Sequence, residues 1–228
     1  NISVILRTWW KWLTGKYGIM AEAMTRKGVD TSHLHVLHGH TAVSQVTLVD
    51  GERVFGDYDE GVLEQYTLSS EDMDFISTHD VVVCDLWGKV GRFFGQLQQR
   101  GVKTAFDCAT RPGDDACVEA IPYTDYLFFS SDDGDTETLR ELMKVLYSQG
   151  PKLVIAMLGE QGSLCFDGQT FHSFGIVPCP NVVDTMGAGD SYIAGFLHGL
   201  VDGLPIESCM EKGAATSTET LQYFGAWL

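Results

Sequence analysis

The 228-residue chain has no pair of cysteines spaced C-x-x-C, although it holds six cysteines in all. Cys84, Cys108, Cys117, Cys165, Cys179 and Cys209 stand apart, mostly in apolar sequence. That spacing argues against a disulfide framework or a thiolate metal site and for buried free thiols of a reducing compartment. Basic residues are scarce as well. The 15 Lys and Arg face 31 Asp and Glu, and the formal charge of -16 opposes binding to phosphate backbones or anionic headgroups. Neither nucleic acid nor a membrane is expected as a partner. No apolar run approaches the roughly 18 residues that read as a membrane-crossing helix. The opening Asn1-Ile2-Ser3-Val4-Ile5-Leu6-Arg7 lacks the basic region and cleavage site of a secretory signal, so a cytoplasmic location is expected.

What is present is an ordinary globular composition, 44% hydrophobic and 20% charged, in a length that suits one domain with a small appendage. Apolar stretches at Asp80 to Leu86 and Lys152 to Leu158 read as buried strands, and Val102 to Asp107 and Tyr126 to Ser131 as further strands. Helical patterns lie between them, at Gly91 to Arg100 and Thr136 to Tyr147, and this alternation predicts a doubly wound, mostly parallel α/β sheet with helices on both faces. Earlier in the chain, Ile19 to Lys27 reads as a helix stopped by Gly28, and Ser70 to Ile76 as a short helix with an acidic first turn.

One segment stands outside the alternation. Thr41 to Val49 is rich in β-branched residues, Asp50-Gly51 is a hairpin turn signal, and Val54-Phe55 follows, so a small β-sheet lid is expected over about residues 36–60. The stretch Phe55-Gly56-Asp57-Tyr58-Asp59-Glu60-Gly61-Val62 after it reads as an exposed acidic loop. His33, His35, His38 and His40, spaced H-x-H-x-x-H-x-H, read as a solvated edge rather than a metal site. Trp9, Trp10 and Trp12 read as buried aromatic anchors.

The chemistry concentrates in Asn181-Val182-Val183-Asp184-Thr185-Met186-Gly187-Ala188-Gly189-Asp190-Ser191-Tyr192, an apolar strand end that breaks into a glycine turn and opens a helix. Ile193, Phe196, Leu197 and Leu200 supply that helix's apolar stripe. Glycines let the backbone amides of the turn converge, and the unpaired N-H groups and positive dipole end of the helix favour an anion there. Asp190 is a carboxylate among anion-binding amides. It reads either as a helix N-cap or as a general base that accepts the proton of an attacking hydroxyl.

Asp184-Thr185-Met186-Gly187-Ala188-Gly189-Asp190-Ser191 resembles the D-T-x-G-A-G-D signature of the ribokinase (PfkB) family of carbohydrate and nucleoside kinases. The resemblance implies a ribokinase-like fold over the single domain 1–228 and ATP-dependent phosphorylation assisted by Mg²⁺. Asp190 would be the base, and Gly187, Ala188 and Gly189 the anion hole. It also implies ATP contacts at Thr185, at Gly159 and Gly162, at Thr216 and at Gly225; Met157 stands where the family has Thr. The small-residue face of Lys212 to Thr220, which carries Thr216, suits a purine or close helix packing equally.

For the acceptor, Phe55 to Val62 resembles the wording of family members that act on fructosamines. This implies transfer to the 6-hydroxyl of fructoselysine or a related sugar-amine, met by Asp57, Tyr58 and Glu60 as well as Asp190. Asp85 and Trp87, at the end of a predicted parallel strand, are further acceptor candidates. Alternatives left open are another sugar, a nucleoside, or a homologue that binds without catalysis. The family's D-x-N-x-R has Asp107 and Arg111 here with Ala109 for Asn, and its N-x-x-E is replaced by a stretch where Asp132 or Asp135 could serve Mg²⁺. Asp184 is the candidate for a monovalent cation such as K⁺. Of the sugar motif G-G-x-x-x-N only Asn1 has a match, so an N-terminal portion, and a piece near Arg7 to Trp12, are expected to be missing. A homodimer through the lid is the expected assembly.

Overall fold

The computed structural model describes residues 2–3, 16–35, 37, 39–40, 42–49 and 52–225. Asn1, the tryptophans at positions 9, 10 and 12, His38 and the Asp50-Gly51 turn lie outside these residues. The chain divides into two compact units, residues 5–75 and residues 1–4 with 76–228.

Along the chain run β1 (Ile2–Ser3), α1 (Lys16–Arg26), β2 (Val43–Val49), β3 (Glu52–Asp59), α2 (Ser70–Ile76), β4 (Val81–Asp85), α3 (Phe94–Gln99) and β5 (Lys103–Asp107). After these come α4 (Asp115–Ala120), β6 (Tyr126–Ser130), α5 (Glu137–Tyr147), β7 (Leu153–Met157), β8 (Ser163–Phe166), β9 (Phe171–Phe174), α6 (Ala188–Val201) and α7 (Ile206–Thr220).

The larger unit holds a seven-stranded sheet in the order β1-β4-β5-β6-β7-β8-β9. β1 through β7 in this order are parallel, and β8 and β9 join antiparallel. Successive strand residues point to opposite faces. On one face Phe128 meets Phe196 of α6 edge-on at 5.5 Å, within a core that also takes Ala105, Ile155, Tyr192, Cys209 and Met210. On the other, Phe106 meets Phe94 of α3 edge-on at 5.8 Å. This is the doubly wound arrangement that the apolar runs predict. The helix 91–100 begins as a 3-10 turn over Gly91–Phe93, and α4 and β9 are elements without a strong periodic signal in the sequence.

α6 and α7 lie unusually close. A Cβ on Gly195 would come within 2.6 Å of the Lys212 carbonyl and of Thr216 Oγ1, and one on Gly213 within 2.9 Å of the Tyr192 carbonyl. The small face of Lys212 to Thr220 is therefore a helix-packing seam. All six cysteines are free, five of them buried.

In the smaller unit, α1 ends at Gly28, whose φ of +80° is the left-handed stop expected there. β2 and β3 pair antiparallel from Val43↔Asp59 to Val49↔Glu52, with a bulge between Ser44 and Val46. β3 is longer than the two-residue strand that the sequence suggests. Asp57 and Tyr58 belong to it rather than to a loop, because Tyr58 and Asp59 keep ladder partners in Ser44 and Val43. Only past Asp59 does the chain turn into the 3-10 segment Gly61–Gln65. No helix among the described residues is long and apolar enough to cross a membrane.

Candidate active site

The glycine turn opens α6 as its residue types require. Gly187 is the N-cap, with φ +78° and ψ 2°, a left-handed conformation that costs a residue with Cβ about 1 kcal/mol or more. No side chain caps this end. The cap role considered for Asp190 therefore falls to Gly187, and Asp190 is the third residue of the helix. The first amides of any helix have no partner within it. Here they belong to Ala188, Gly189 and Asp190, at the positive end of a 14-residue helix, where Ala188 N donates to the Thr185 carbonyl before the helix at 3.3 Å.

Asp184 holds the turn in place. It is buried, its Oδ1 accepts from Met186 N at 3.0 Å, and its Oδ2 accepts from Gly225 N at 3.0 Å. Val183 N donates to the Leu221 carbonyl at 2.8 Å. The motif is thus laced to the segment after α7 that carries Gly225, and backbone N-H groups orient the carboxylate considered for a monovalent cation. Thr185 is exposed beside it.

Asp190 is exposed, yet the protein mass around it raises its carboxyl pKa above the ordinary value by desolvation, with only its own amide working against this. Its charge is felt by two further carboxylates. Asp85 and Asp107 end the adjacent parallel strands β4 and β5 and are partners in register. Each folds into an Asx turn: Asp85 Oδ1 accepts from Trp87 N at 3.0 Å, and Asp107 Oδ1 accepts from Ala109 N at 2.9 Å. Burial, then the repulsion of Asp190 and Asp85, pushes Asp107 up to about 7. Burial, more than the charge of Asp190, raises Asp85. The turns after both strands contain a non-glycine residue at positive φ, Lys89 at 58° and Ala109 at 50°. The guanidinium of Arg111 lies 5.4 Å over the ring of Trp87 and 3.6 Å from Asp114.

Gly159 and Gly162 flank the β7–β8 turn with φ of +57° and +88°. A Cβ on Gly162 would collide with the Phe174 carbonyl, so its glycine is required by the sheet, whereas Gly159 has open space. Thr216 donates its hydroxyl to the Lys212 carbonyl at 2.8 Å and faces α6. Asp135 is bidentate to Arg140, with both contacts at 2.7 Å, and this pairing holds its carboxyl below its ordinary value; Asp132 is exposed in the same loop, as are Asp133 and Asp135.

The site thus gathers Asp190, the glycine amides, Asp85, Trp87, Asp107 and Arg111 on the larger unit. The electrostatic partnership of Asp107 with Asp190 escapes a reading of the chain, although two strands each closing on Asp before a turn was the available signal. Asp57 and Tyr58, exposed on β3, and Glu60, half-buried just after it, belong to the smaller unit, and Asn1 lies outside the described residues.

Residues 17–227 match the pfkB family of carbohydrate kinases. The chain is 42% identical over 208 residues to the fructoselysine 6-kinase of Escherichia coli (strain K12), covering 91% of this chain and 79% of that protein. It is 30% identical over 203 residues to the fructosamine kinase FrlD of Bacillus subtilis (strain 168), covering 87% and 71%. Among solved structures, Arabidopsis thaliana ribokinase complexed with ribose and ATP superposes with a TM-score of 0.82 at 23% identity, covering 98% of this chain and 77% of that one.

Proposed function

The chain belongs to the pfkB family of carbohydrate kinases, and from that membership we propose that it moves the terminal phosphoryl group of ATP to the 6-hydroxyl of fructoselysine or a related fructosamine. The observation that carries the reaction is the placement of Asp190, one helical turn behind the left-handed Gly187, with a pKa raised by desolvation. A raised pKa makes a carboxylate a stronger proton acceptor. Asp190 takes the proton of the acceptor hydroxyl as that oxygen attacks. The Gly187-Ala188-Gly189 turn receives the charge spread over the phosphoryl oxygens: the Gly189 N-H is fixed by the helix, and the Ala188 N-H exchanges its 3.3 Å contact with the Thr185 carbonyl for the phosphate.

Mg²⁺ accompanying ATP would neutralise phosphate charge. The local chemistry fits a divalent ion, because mutually repelling carboxylates already surround the ends of β4 and β5 and Asp132 is exposed after β6. The same negative field favours an acceptor that carries an amine. Acceptor choice is supported by the relatives' activities, and Asp57, Tyr58, Glu60 and Trp87 are the residues we assign to it. A lid-to-lid homodimer, a cytoplasmic location and a monovalent cation beside Asp184 complete the proposal.

Release of ADP, followed in a coupled assay across fructoselysine, a second fructosamine, free fructose and a nucleoside, tests the reading. Fructoselysine is expected to give the highest kcat/KM. A nucleoside preferred over every fructosamine would overturn the acceptor, and no ADP release with any of them would overturn catalysis itself.

A further inference from the structure

In the histidine-rich stretch between α1 and β2, His35 and His40 are exposed as a solvated edge requires, but part of the stretch has buried partners. His33 and His35 converge on Asp72, which lies 39 and 37 residues further along the chain. Asp72 is buried, with 4% of its surface exposed, so burial of its charge must be offset by strong partners. Its Oδ2 accepts from Ser69 N at 2.9 Å and Ser69 Oγ at 2.7 Å, and its own amide donates to Ser69 Oγ at 3.1 Å. This reciprocal capping box fixes the carboxylate at the first turn of α2. It leaves Oδ1 aimed at the imidazoles. His33 Nδ1 lies 3.0 Å from Oδ1, and His35 Nε2 lies 2.6 Å from it.

The rings are held as firmly as the acid. His33 stacks on Phe75 at 4.1 Å, and His35 lies edge-on to Tyr66 at 6.0 Å. Ligand atoms from the three residues lie within 4.8 Å of one another. A tetrahedral ion with ligand bonds of about 2.0–2.2 Å needs donors a little over 3 Å apart, so Oδ1 and the imidazoles, now 3.0 and 2.6 Å from it, spread by less than about 1 Å to admit the ion.

We propose that His33, His35 and Asp72 form a zinc site in the smaller unit, distinct from the residues of phosphoryl transfer. Two imidazoles and one carboxylate suit a borderline ion such as Zn²⁺ and are a poor match for Mg²⁺ or Ca²⁺, which take oxygen ligands. Ser69 supplies the outer hydrogen bonds that orient the carboxylate. The imidazoles are more exposed than the acid, 28% and 42% against 5% for the side chains, so the ion enters from the histidine side and keeps a fourth position for water. The bound ion staples the segment after α1 to the start of α2. Binding displaces the protons that the ring nitrogens share with Oδ1.

The test uses the full chain, stripped with a chelator and titrated with Zn²⁺ against a chromophoric zinc indicator, with bound metal counted by mass spectrometry. One zinc per chain at micromolar concentration is expected, retained in excess Mg²⁺ and weakened at least tenfold in His33→Gln and in His35→Gln. The melting temperature of the wild-type chain should rise with zinc and that of the variants should not. Asp72→Asn should abolish binding, but it also weakens the capping box. His35→Gln, at the most exposed of the three positions, is therefore the deciding variant. Absence of stoichiometric zinc, or binding undiminished in both histidine variants, would reduce the cluster to a hydrogen-bonded clamp and overturn the proposal.

Discussion

Asp190 reaches the site on the third residue of α6, behind a glycine turn that leaves its carboxylate bonded only to its own amide. Asp85 and Asp107 reach it from neighbouring parallel strands, and each is tied down by the amide two residues on. The charges act on one another, yet the surroundings sort them into different tasks. A carboxylate left open at a helix start can meet a substrate proton; a half-buried carboxylate held in an Asx turn shapes the field around it. Proximity of acids does not by itself identify the base.

The largest expected effect breaks this comparison on one side. Asp190→Asn keeps the shape and removes the proton acceptor, so kcat should fall by about 10²- to 10⁴-fold, with ATP binding and melting temperature close to wild type. Retention of wild-type kcat in the coupled assay would transfer the role of base to Asp107 or Asp85. The wild-type rate should also lose activity on the acid side, at a pH above the ordinary aspartate value, because the pKa of Asp190 is raised.

Asp107→Asn probes the other side with the opposite sign. In the folded chain Asp107 binds its proton up to about pH 7, against an ordinary value of 3.8. Between these limits the native state holds more protons than the unfolded one, so its contribution to stability falls as pH rises through the window and stays low above it. Asn cannot ionise and still accepts from Ala109 N. The variant should therefore be more stable than wild type at pH 8, by at most about 4 kcal/mol at about 1.4 kcal/mol per tenfold change in proton affinity. The gap should close near pH 4. Denaturant unfolding at the two pH values measures it, and equal stability at both would show that Asp107 is not strained by its neighbours.

The same contrast explains what the sequence could reveal. The glycine turn lies in one contiguous run, and Gly187, Asp190 and the apolar stripe of α6 each declare their conformation locally. The parallel strands were legible for a similar reason, since burial on both faces leaves unbroken apolar runs such as Val81 to Cys84. The meeting of Asp85 with Asp107 depends on sheet register, and that of His33 with Asp72 on the path of the chain between α1 and α2. No local propensity encodes either. Asp57 and Tyr58 were misplaced into a loop because polar residues on a two-stranded sheet need not alternate with buried ones, so β3 lacks the pattern that marks a strand.

The smallest effect concerns the scaffold of the strand ends. Ala109 follows β5 at φ +50°, a conformation that its Cβ disfavours, and its amide must stay there to hold Asp107. Glycine adopts this region freely, and the gain on relieving the strain is partly offset by the greater entropy of an unfolded glycine. Ala109→Gly should raise stability by up to about 1 kcal/mol, with the Asp107 turn and kcat unchanged. Asn, which tolerates the left-handed region better than most residues, should recover part of the same gain. If instead Ala109→Gly lowers the melting temperature, the strand-end turn is not strained, and its rigidity has to come from the carboxylate alone.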